Sequence, residues 1–212
     1  MSNKLKKSIQ ESGGFRHWFV NVFWYHYKWP VLAALIALGI IAFITVDSLR
    51  QVRYDTTVVI ATDYSVDAED LEALDAVLKP VVPDLDGNGQ VHINYALLYL
   101  GNTELGRQNQ ERMYLYMTQD DVALYLMSEG ISDAYTDPIL EYFTDPVEQY
   151  DLKPDPANAV RTSLENNKTL AACGMEHMYL SIMDFTTVSG AASAENALDA
   201  AVAMAHALVD AG

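Results

Sequence analysis

The chain has 212 residues, 50% of them hydrophobic, and a formal net charge of −16 at pH 7. This length suits one compact domain plus a membrane segment and is too short for two full domains. The negative charge argues against nucleic acid as a partner, because phosphate would be repelled, and the single cysteine, Cys173, excludes an internal disulfide.

The charge is unevenly distributed along the chain. The first 30 residues carry five basic side chains and one acidic one, whereas the part from Asp47 onward carries eight basic and 28 acidic ones. Such asymmetry within one chain indicates that the two parts occupy different environments.

An uncharged apolar run, Val31–Val46, predicts a transmembrane helix. With its flanks, residues 29–49 make a helix of about 31 Å, which matches the ~30 Å hydrocarbon core of a bilayer. Pro30 is expected in the first turn, where its missing N–H costs nothing. A buried core helix and a cleaved signal peptide are the alternatives, and we favour an uncleaved signal anchor at residues 30–49.

The residues before this helix form a basic tail and an aromatic interfacial segment, residues 1–29. Eight of the fifteen residues 15–29 are Phe, Trp or Tyr, and such rings favour the membrane–water boundary or a docking surface for another membrane protein. The positive-inside rule places this segment in the cytoplasm and residues 50–212 outside it. The predicted interface residues are Trp18, Trp24, Tyr25, Tyr27 and Trp29.

The part from residue 50 onward alternates strands and helices. Val58–Ala61 is a β-branched apolar run, typical of a strand buried on both faces. Ser65 is expected to cap the following helix, and a second strand is predicted at Val91–Leu100. Residues 103–128 form either a helix followed by the strand Val122–Met127 or a hairpin across Gln119–Asp121, and we favour the helix and strand.

The last third of the chain is predicted to begin with short helices and loops. Asp137-Pro138, Asp145-Pro146 and Asp155-Pro156 can each start a turn or a short helix. One more strand is expected at Met178–Met183, and Ser193 is expected to cap a C-terminal helix. The whole pattern predicts an α/β fold, a single domain with a mostly parallel, mixed sheet of about four to five strands flanked by helices.

Several segments carry a family resemblance: WYHYKWP and YDTTVVIATDY on either side of the apolar run, then DLDGNG, Asn109–Arg112 and DVALYLM. In this order they are similar to a group of uncharacterised, membrane-anchored extracytoplasmic proteins of Gram-positive bacteria. The outer domain of that group resembles one lobe of an extracellular solute-binding protein. Solute-binding proteins usually close two lobes on a ligand, whereas this chain has length for only one.

The segment DLDGNG provides a candidate calcium site. Its oxygens occupy positions 1, 3 and 5 of a calcium loop, glycine at position 6 allows the turn, and the residue at position 7 adds a carbonyl. Position 12 should be glutamate but is Tyr95, so a complete EF-hand is not predicted. The alternative is a turn stabilised by side-chain hydrogen bonds. The predicted Ca²⁺ ligands are Asp84, Asp86, Asn88 and Gln90.

Other chemistry-bearing residues give weaker signals. Cys173 and His177 lack a third orienting group, so a buried cysteine is expected rather than a nucleophile. Asn167-Lys168-Thr169 matches a glycosylation sequon. Clustered tyrosines predict either a ligand pocket or packing at the sheet edge, namely Tyr95, Tyr99, Tyr114, Tyr116 and Tyr125.

The sequence contains no catalytic motif, and it favours a non-enzymatic, membrane-anchored binding or interaction module. Its partners would be the membrane and another membrane or surface protein, and no particular small-molecule ligand is identified. The alternatives are an extracytoplasmic enzyme acting on cell-surface material and a calcium-braced structural protein. A ligand-binding module would have a concave pocket at the carboxyl ends of the strands, whereas an enzyme would bring perturbed ionisable groups into one cleft.

Overall fold

A computed structural model of the chain describes residues 7, 19, 24–50, 53–85, 87–139, 147–185 and 192–212. The chain divides into two compact units, residues 1–52 and residues 53–212. The first unit contains one long helix, and the second contains a sheet with its own hydrophobic core.

Helix α1 runs from Tyr25 to Arg50 and is apolar on all sides. Its 19-residue stretch Tyr27–Thr45 has a mean hydropathy of 2.0 and buries none of its surface within the protein. At ~1.5 Å per residue this stretch is about 28 Å long. The helix is therefore long and apolar enough to cross a membrane.

Pro30 does not lie in the first turn of α1, because the helix already begins at Tyr25. That prediction was wrong: the helix continues through the proline, which removes only one backbone donor. Four of the predicted interface residues are exposed in this part of the chain, while Trp18 lies outside the described residues. The exposed four are Trp24, Tyr25, Tyr27 and Trp29.

The second unit is built on a five-stranded mixed sheet with the strand order β2-β1-β3-β5-β4. Strand β1 pairs in parallel with β2 and β3, and β5 is antiparallel to β3 and β4. The predicted α/β fold with a mixed sheet is confirmed. The strands are β1 (Thr56–Thr62), β2 (Ile93–Tyr99), β3 (Leu124–Ser128), β4 (Thr162–Ser163) and β5 (Met178–Ile182).

Helices cover both faces of this sheet, so the fold has three layers. Helices α2, α5 and α6 pack on one face, and α3 and α4 pack on the other. Short 3₁₀ turns precede α2, at Ala68–Leu71, and follow α4, at Val147–Tyr150. The helices are α2 (Glu72–Leu78), α3 (Glu104–Tyr116), α4 (Glu129–Ile139), α5 (Lys168–Ala172) and α6 (Ala192–Asp210).

The central strand β1 joins the two halves of the core. Val58 and Ile60 pack toward α2, whereas Val59 and Ala61 pack toward α3, and all four are almost completely buried. Successive side chains of a strand point to opposite faces. A continuous apolar run therefore fits a strand covered on both sides, as predicted.

The connections confirm some predictions and correct others. Residues 103–128 form α3 followed by β3 and not a hairpin. Ser65 is not a helix cap, because the first helical turn begins at Ala68 and its N-cap position is Asp67. Ser193 is not a cap either, since α6 already includes Ala192.

The Asp-Pro pairs differ from one another in the structure. Asp137-Pro138 lies within the last turn of α4 and not at the start of an element. Asp145-Pro146 lies outside the described residues. Asp155-Pro156 makes the predicted turn, in which Asp155 Oδ1 accepts a hydrogen bond from the N–H of Ala157 at 3.1 Å.

Candidate functional site at the carboxyl edge of the sheet

The chain connections define one edge of the sheet as the place for a site. The chain passes from β1 to β2 through α2 on one face, and from β2 to β3 through α3 on the other. In open α/β sheets with this strand order, the crevice for ligands lies beyond the carboxyl ends of the strands, at the switch point between β1 and β3.

A cleft of about 240 Å³ opens at the carboxyl ends of β1 and β2, and we call it the carboxyl-edge cleft. The loop after β1 lines one side and helix α3 lines the other. Leucine, isoleucine and valine side chains form the apolar part of its lining. The remaining lining residues are Thr62, Tyr64, Ser65, Tyr99, Asn109 and Arg112.

Tyr64 is held in place by contacts at both ends. The Thr62 hydroxyl donates to the Tyr64 carbonyl at 2.6 Å. The Tyr64 hydroxyl donates to the carbonyl of Glu176 at 3.3 Å and accepts from its N–H at 3.2 Å. Burial raises the pKa of Tyr64, although the backbone hydrogen bond with Glu176 acts in the opposite direction. The side chain is therefore a neutral and fixed part of the cleft.

The first turns of α3 are fixed against the end of β2. Thr103 caps the helix by accepting a hydrogen bond from the N–H of Gly106 at 3.1 Å. A Cβ atom at Gly106 would collide with the carbonyl oxygen of Gly101, so the helix can approach this closely only with glycine there. Three residues after Gly106, the buried Asn109 donates from Nδ2 to the Tyr99 carbonyl at 3.0 Å.

Arg112 lies one turn beyond Asn109 on the same side of α3. It is exposed, and among the described residues that line the cleft it is the only one with a charged side chain. Within the described part of the chain, its guanidinium has no hydrogen-bond or ion-pair partner. The next arginine on this helix, Arg107, is paired with Glu104 instead.

The gap between β1 and β3 is closed, which explains why the cleft opens over β2. The hydroxyl of Ser128, at the end of β3, donates to Asp63 Oδ1 at 2.8 Å. The other carboxylate oxygen of Asp63 lies over Gly130 in the first turn of α4. These contacts join the two strand ends directly.

The predicted calcium loop is stabilised by hydrogen bonds from side chains to backbone. Asp84 accepts from the N–H of Gly87 at 2.8 Å through Oδ1 and from the N–H of Gly89 at 2.7 Å through Oδ2. Asn88 Oδ1 accepts from the N–H of Gln90 at 2.7 Å. Gly89 has a φ of +81°, a backbone conformation that favours glycine.

These contacts are the ones expected of the turn alternative, and calcium binding stays a prediction. The remaining proposed ligand, Asp86, lies outside the described residues. Within the part that the structure describes, no three His, Cys, Asp or Glu side chains are grouped as a metal would require. A buried residue that sequence reasoning missed, Asp55, ties the loop to β1 by accepting from the N–H groups of Leu85 and His92, both at 2.8 Å.

A second polar cluster surrounds the buried side chain of Arg161. Its Nε donates to Asp155 at 2.6 Å, and its Nη1 donates to Ser132 at 2.6 Å and Asp133 at 2.7 Å. The guanidinium also stacks on the ring of Tyr179, 3.9 Å from its centroid. A cavity of about 180 Å³ lies nearby, lined by Glu129, Ser163, Glu165, His177 and Tyr179.

The residues that gave weaker signals in the sequence, Cys173, His177 and Asn167, differ in their burial. Cys173 is buried, and burial raises the pKa of its thiol, whereas His177 is exposed and lies 3.8 Å from Glu165. The expectation of a buried cysteine is confirmed. The sequon residue Asn167 is also buried: it donates to the Leu208 carbonyl at 2.7 Å and caps α5.

The tyrosines do not form one pocket. Tyr99 lines the carboxyl-edge cleft. Tyr95 donates a hydrogen bond to Asp75 at 2.7 Å. Burial, the larger cause, and this hydrogen bond both raise the pKa of Tyr95. Tyr125 is buried between the sheet and α3, while Tyr114 is exposed.

Three cleft residues lie in segments that carry the family resemblance but were not predicted from the sequence as site residues: Tyr64, Asn109 and Arg112. A signal for each was present. Tyr64 directly follows a buried strand, and Asn109 and Arg112 have the three-residue spacing that places side chains on one helix face.

Comparison of the chain with protein-family models, curated proteins and solved structures finds no match.

Proposed function

We propose that the protein is a membrane-anchored, solute-binding-like module that is non-enzymatic and binds its ligand outside the cytoplasm. The apolar helix α1 would anchor it, with residues 1–29 inside and the sheet domain outside. Support comes from the length and hydropathy of α1 and from the positive charge of the first 30 residues, which the positive-inside rule retains in the cytoplasm.

The carboxyl-edge cleft is the observation that carries the binding role. It lies at the carboxyl ends of β1 and β2, beside the switch point at which sheets of this strand order bind ligands, and its walls are fixed by the Tyr64 and Asn109 hydrogen bonds. A largely preformed cavity with an apolar surface and a few polar groups is typical of small-molecule sites. The resemblance to one lobe of a solute-binding protein agrees with this role.

The groups in the cleft favour binding over catalysis. Burial raises the pKa of Tyr64, which lines the cleft, and this direction keeps its hydroxyl neutral. General acid–base chemistry needs an ionisable group whose pKa is tuned toward the working pH. A raised tyrosine pKa moves away from that range.

Membrane orientation is tested by labelling single introduced cysteines in intact cells with a membrane-impermeant maleimide. The native Cys173 is buried and gives little background. Gln119→Cys, on the domain surface, is expected to label, and Ser2→Cys is expected to label only after permeabilisation. The opposite pattern, or a protein found in the soluble fraction, would contradict the proposal.

Ligand binding is tested by thermal unfolding of the full chain in detergent with a panel of sugars, nucleosides, amino acids and short organic acids. A ligand at ~100 times its dissociation constant stabilises by about 2.7 kcal/mol, or roughly 5–10 °C for a domain of this size. Ser65→Trp should fill the cleft and abolish the shift. Gln119→Trp, beyond the other end of α3, should retain it, and equal responses in both variants would place binding elsewhere.

A further inference from the structure

The charge of the cleft lining is opposite to the charge of the protein. The chain carries a net charge of −16, yet Arg112 is the charged side chain among the described lining residues. No carboxylate of the described chain neutralises it. The nearest acid on the first turn of α3, Glu104, is already paired with Arg107.

Three of the other polar side chains of the cleft form hydrogen bonds within the fold itself. The Thr62 hydroxyl and the Asn109 amide donate to backbone carbonyls, and the Tyr64 hydroxyl is engaged by the backbone of Glu176. The guanidinium of Arg112 is the charged donor that these contacts leave for a ligand, beside the hydroxyls of Ser65 and Tyr99. Its planar pair of N–H groups matches a carboxylate in two parallel hydrogen bonds.

We propose that the carboxyl-edge cleft binds a small organic carboxylate, with Arg112 as the residue that holds the carboxylate group. This inference rests on the proposed binding function and names its ligand class. The cleft volume of about 240 Å³ is just below the ~300–1,000 Å³ of pockets for drug-sized ligands. The ligand is accordingly small, with a short apolar body that packs against Leu97, Leu98 and Leu105.

A carboxylate fits this site better than a phosphate. One guanidinium balances the single charge of a carboxylate, whereas a phosphate monoester near neutral pH carries between one and two charges. The excess charge would have to be accommodated in a strongly acidic protein without a second cation among the described lining residues. Phosphate analogues are therefore expected to bind more weakly.

The test is a calorimetric or NMR titration of the full chain in detergent with matched probes. The probes are pentanoate and phenylacetate, their neutral amides, the corresponding amines, and phenyl phosphate. The two carboxylates are expected to bind at least about tenfold more tightly than their amides, because the amide loses the charge-assisted hydrogen bonds. Amines should not bind in the cleft.

Three variants locate the effect. Arg112→Gln should weaken carboxylate binding by about 10- to 100-fold while leaving amide binding unchanged, and Arg112→Lys should retain part of it through its charge. Arg107→Gln, on the same helix but paired with Glu104, should bind carboxylates as the native chain does.

Each other outcome separates the inference from the proposed function. Equal binding of carboxylates and amides, or undiminished binding by Arg112→Gln, overturns the role of Arg112, while sensitivity to Ser65→Trp would keep the cleft as a binding site. Preferential binding of phenyl phosphate overturns the carboxylate class. Failure of every carboxylate to bind overturns the inference, and the broad ligand panel then decides the proposed function by itself.

Discussion

Replacing Arg161 by methionine tests whether a buried ion pair holds the last third of the domain to the sheet. The Arg161 side chain is 7% exposed, and its partner Asp155 is 12% exposed. Methionine retains much of the aliphatic stem, so the substitution mainly removes the charge and its hydrogen bonds. The carboxylate of Asp155 accepts from Arg161 and from the N–H of Ala157. After the substitution it would stay buried and keep only the hydrogen bond from Ala157 among these two.

The size of the loss follows from the exposure of each partner. Removing one member of a buried ion pair costs about 3–5 kcal/mol. The other carboxylate, Asp133, is 62% exposed, and an exposed pair adds no more than about 1 kcal/mol. We therefore expect Arg161→Met to lower the free energy of unfolding by about 3 kcal/mol, which is a fall of roughly 6–12 °C in Tm.

The assay is urea and thermal unfolding of the full chain in detergent, followed by the near-ultraviolet signal of the domain. Arg107→Met is the matched control, because the Arg107–Glu104 pair is largely exposed on both sides and should be worth less than about 1 kcal/mol. Adding Asp155→Asn to Arg161→Met should recover stability, since it removes the unpaired charge. Equal small losses in both arginine variants would refute the importance of the buried pair.

The same pair predicts a dependence on pH. Burial would raise the pKa of Asp155, but hydrogen bonds from Ala157 and Arg161 outweigh it and hold the pKa below its ordinary value. A lowered carboxyl pKa contributes stability that is present above the ordinary value of about 4 and is lost as pH falls through the folded-state pKa. The difference between the native chain and Arg161→Met should therefore be largest near neutral pH and shrink below about pH 4.

Three further substitutions are expected to lower stability, each measured by urea unfolding. Asp55→Asn should cost about 1–3 kcal/mol by weakening two hydrogen bonds to backbone N–H groups, and an unchanged midpoint would contradict the role of Asp55 in tying the loop to β1. Gly106→Ala should cost about 3 kcal/mol through collision with a backbone carbonyl, whereas Gly130→Ala meets only a movable side-chain oxygen and should be nearly neutral. Asn167→Ala should cost about 2 kcal/mol because it leaves a buried carbonyl and the α5 cap unpaired, and glycosylation of the folded native chain at this residue would contradict its burial.

The parts of the fold that could be predicted are those set by local pattern. The apolar run Val58–Ala61 gives a strand buried on both faces because every side chain in it is hydrophobic. The alternation of strand and helix fixes the fold class without any knowledge of contacts. The helix ends were predicted less well: Ser65 and Ser193 have the right chemistry for caps, but Ser65 lies two residues before the N-cap Asp67 and Ser193 lies inside α6.

The candidate site could not be predicted in the same way, because it depends on contacts between distant residues. Tyr64 is positioned by the backbone of Glu176, 112 residues later in the chain. The approach of α3 to β2 depends on glycines at 101 and 106 that have no local signature of a cleft. The motif DLDGNG predicts a site from its composition alone. The cleft, in contrast, consists of common residue types, and only their arrangement in the fold brings them together.

Arg161 and Arg112 show why residue type alone does not assign a role. Each is an arginine in an acidic domain, and neither belongs to a known catalytic or binding motif. Arg161 meets two carboxylates, a hydroxyl and an aromatic ring that come from three separate segments, so its donors are committed to the fold. Arg112 meets none of these within the described chain and lies beside a cavity. The contrast separates a residue that stabilises the domain from one whose donors remain for a ligand, and the two arginine substitutions should divide accordingly, with Arg161→Met reducing stability and Arg112→Gln reducing binding.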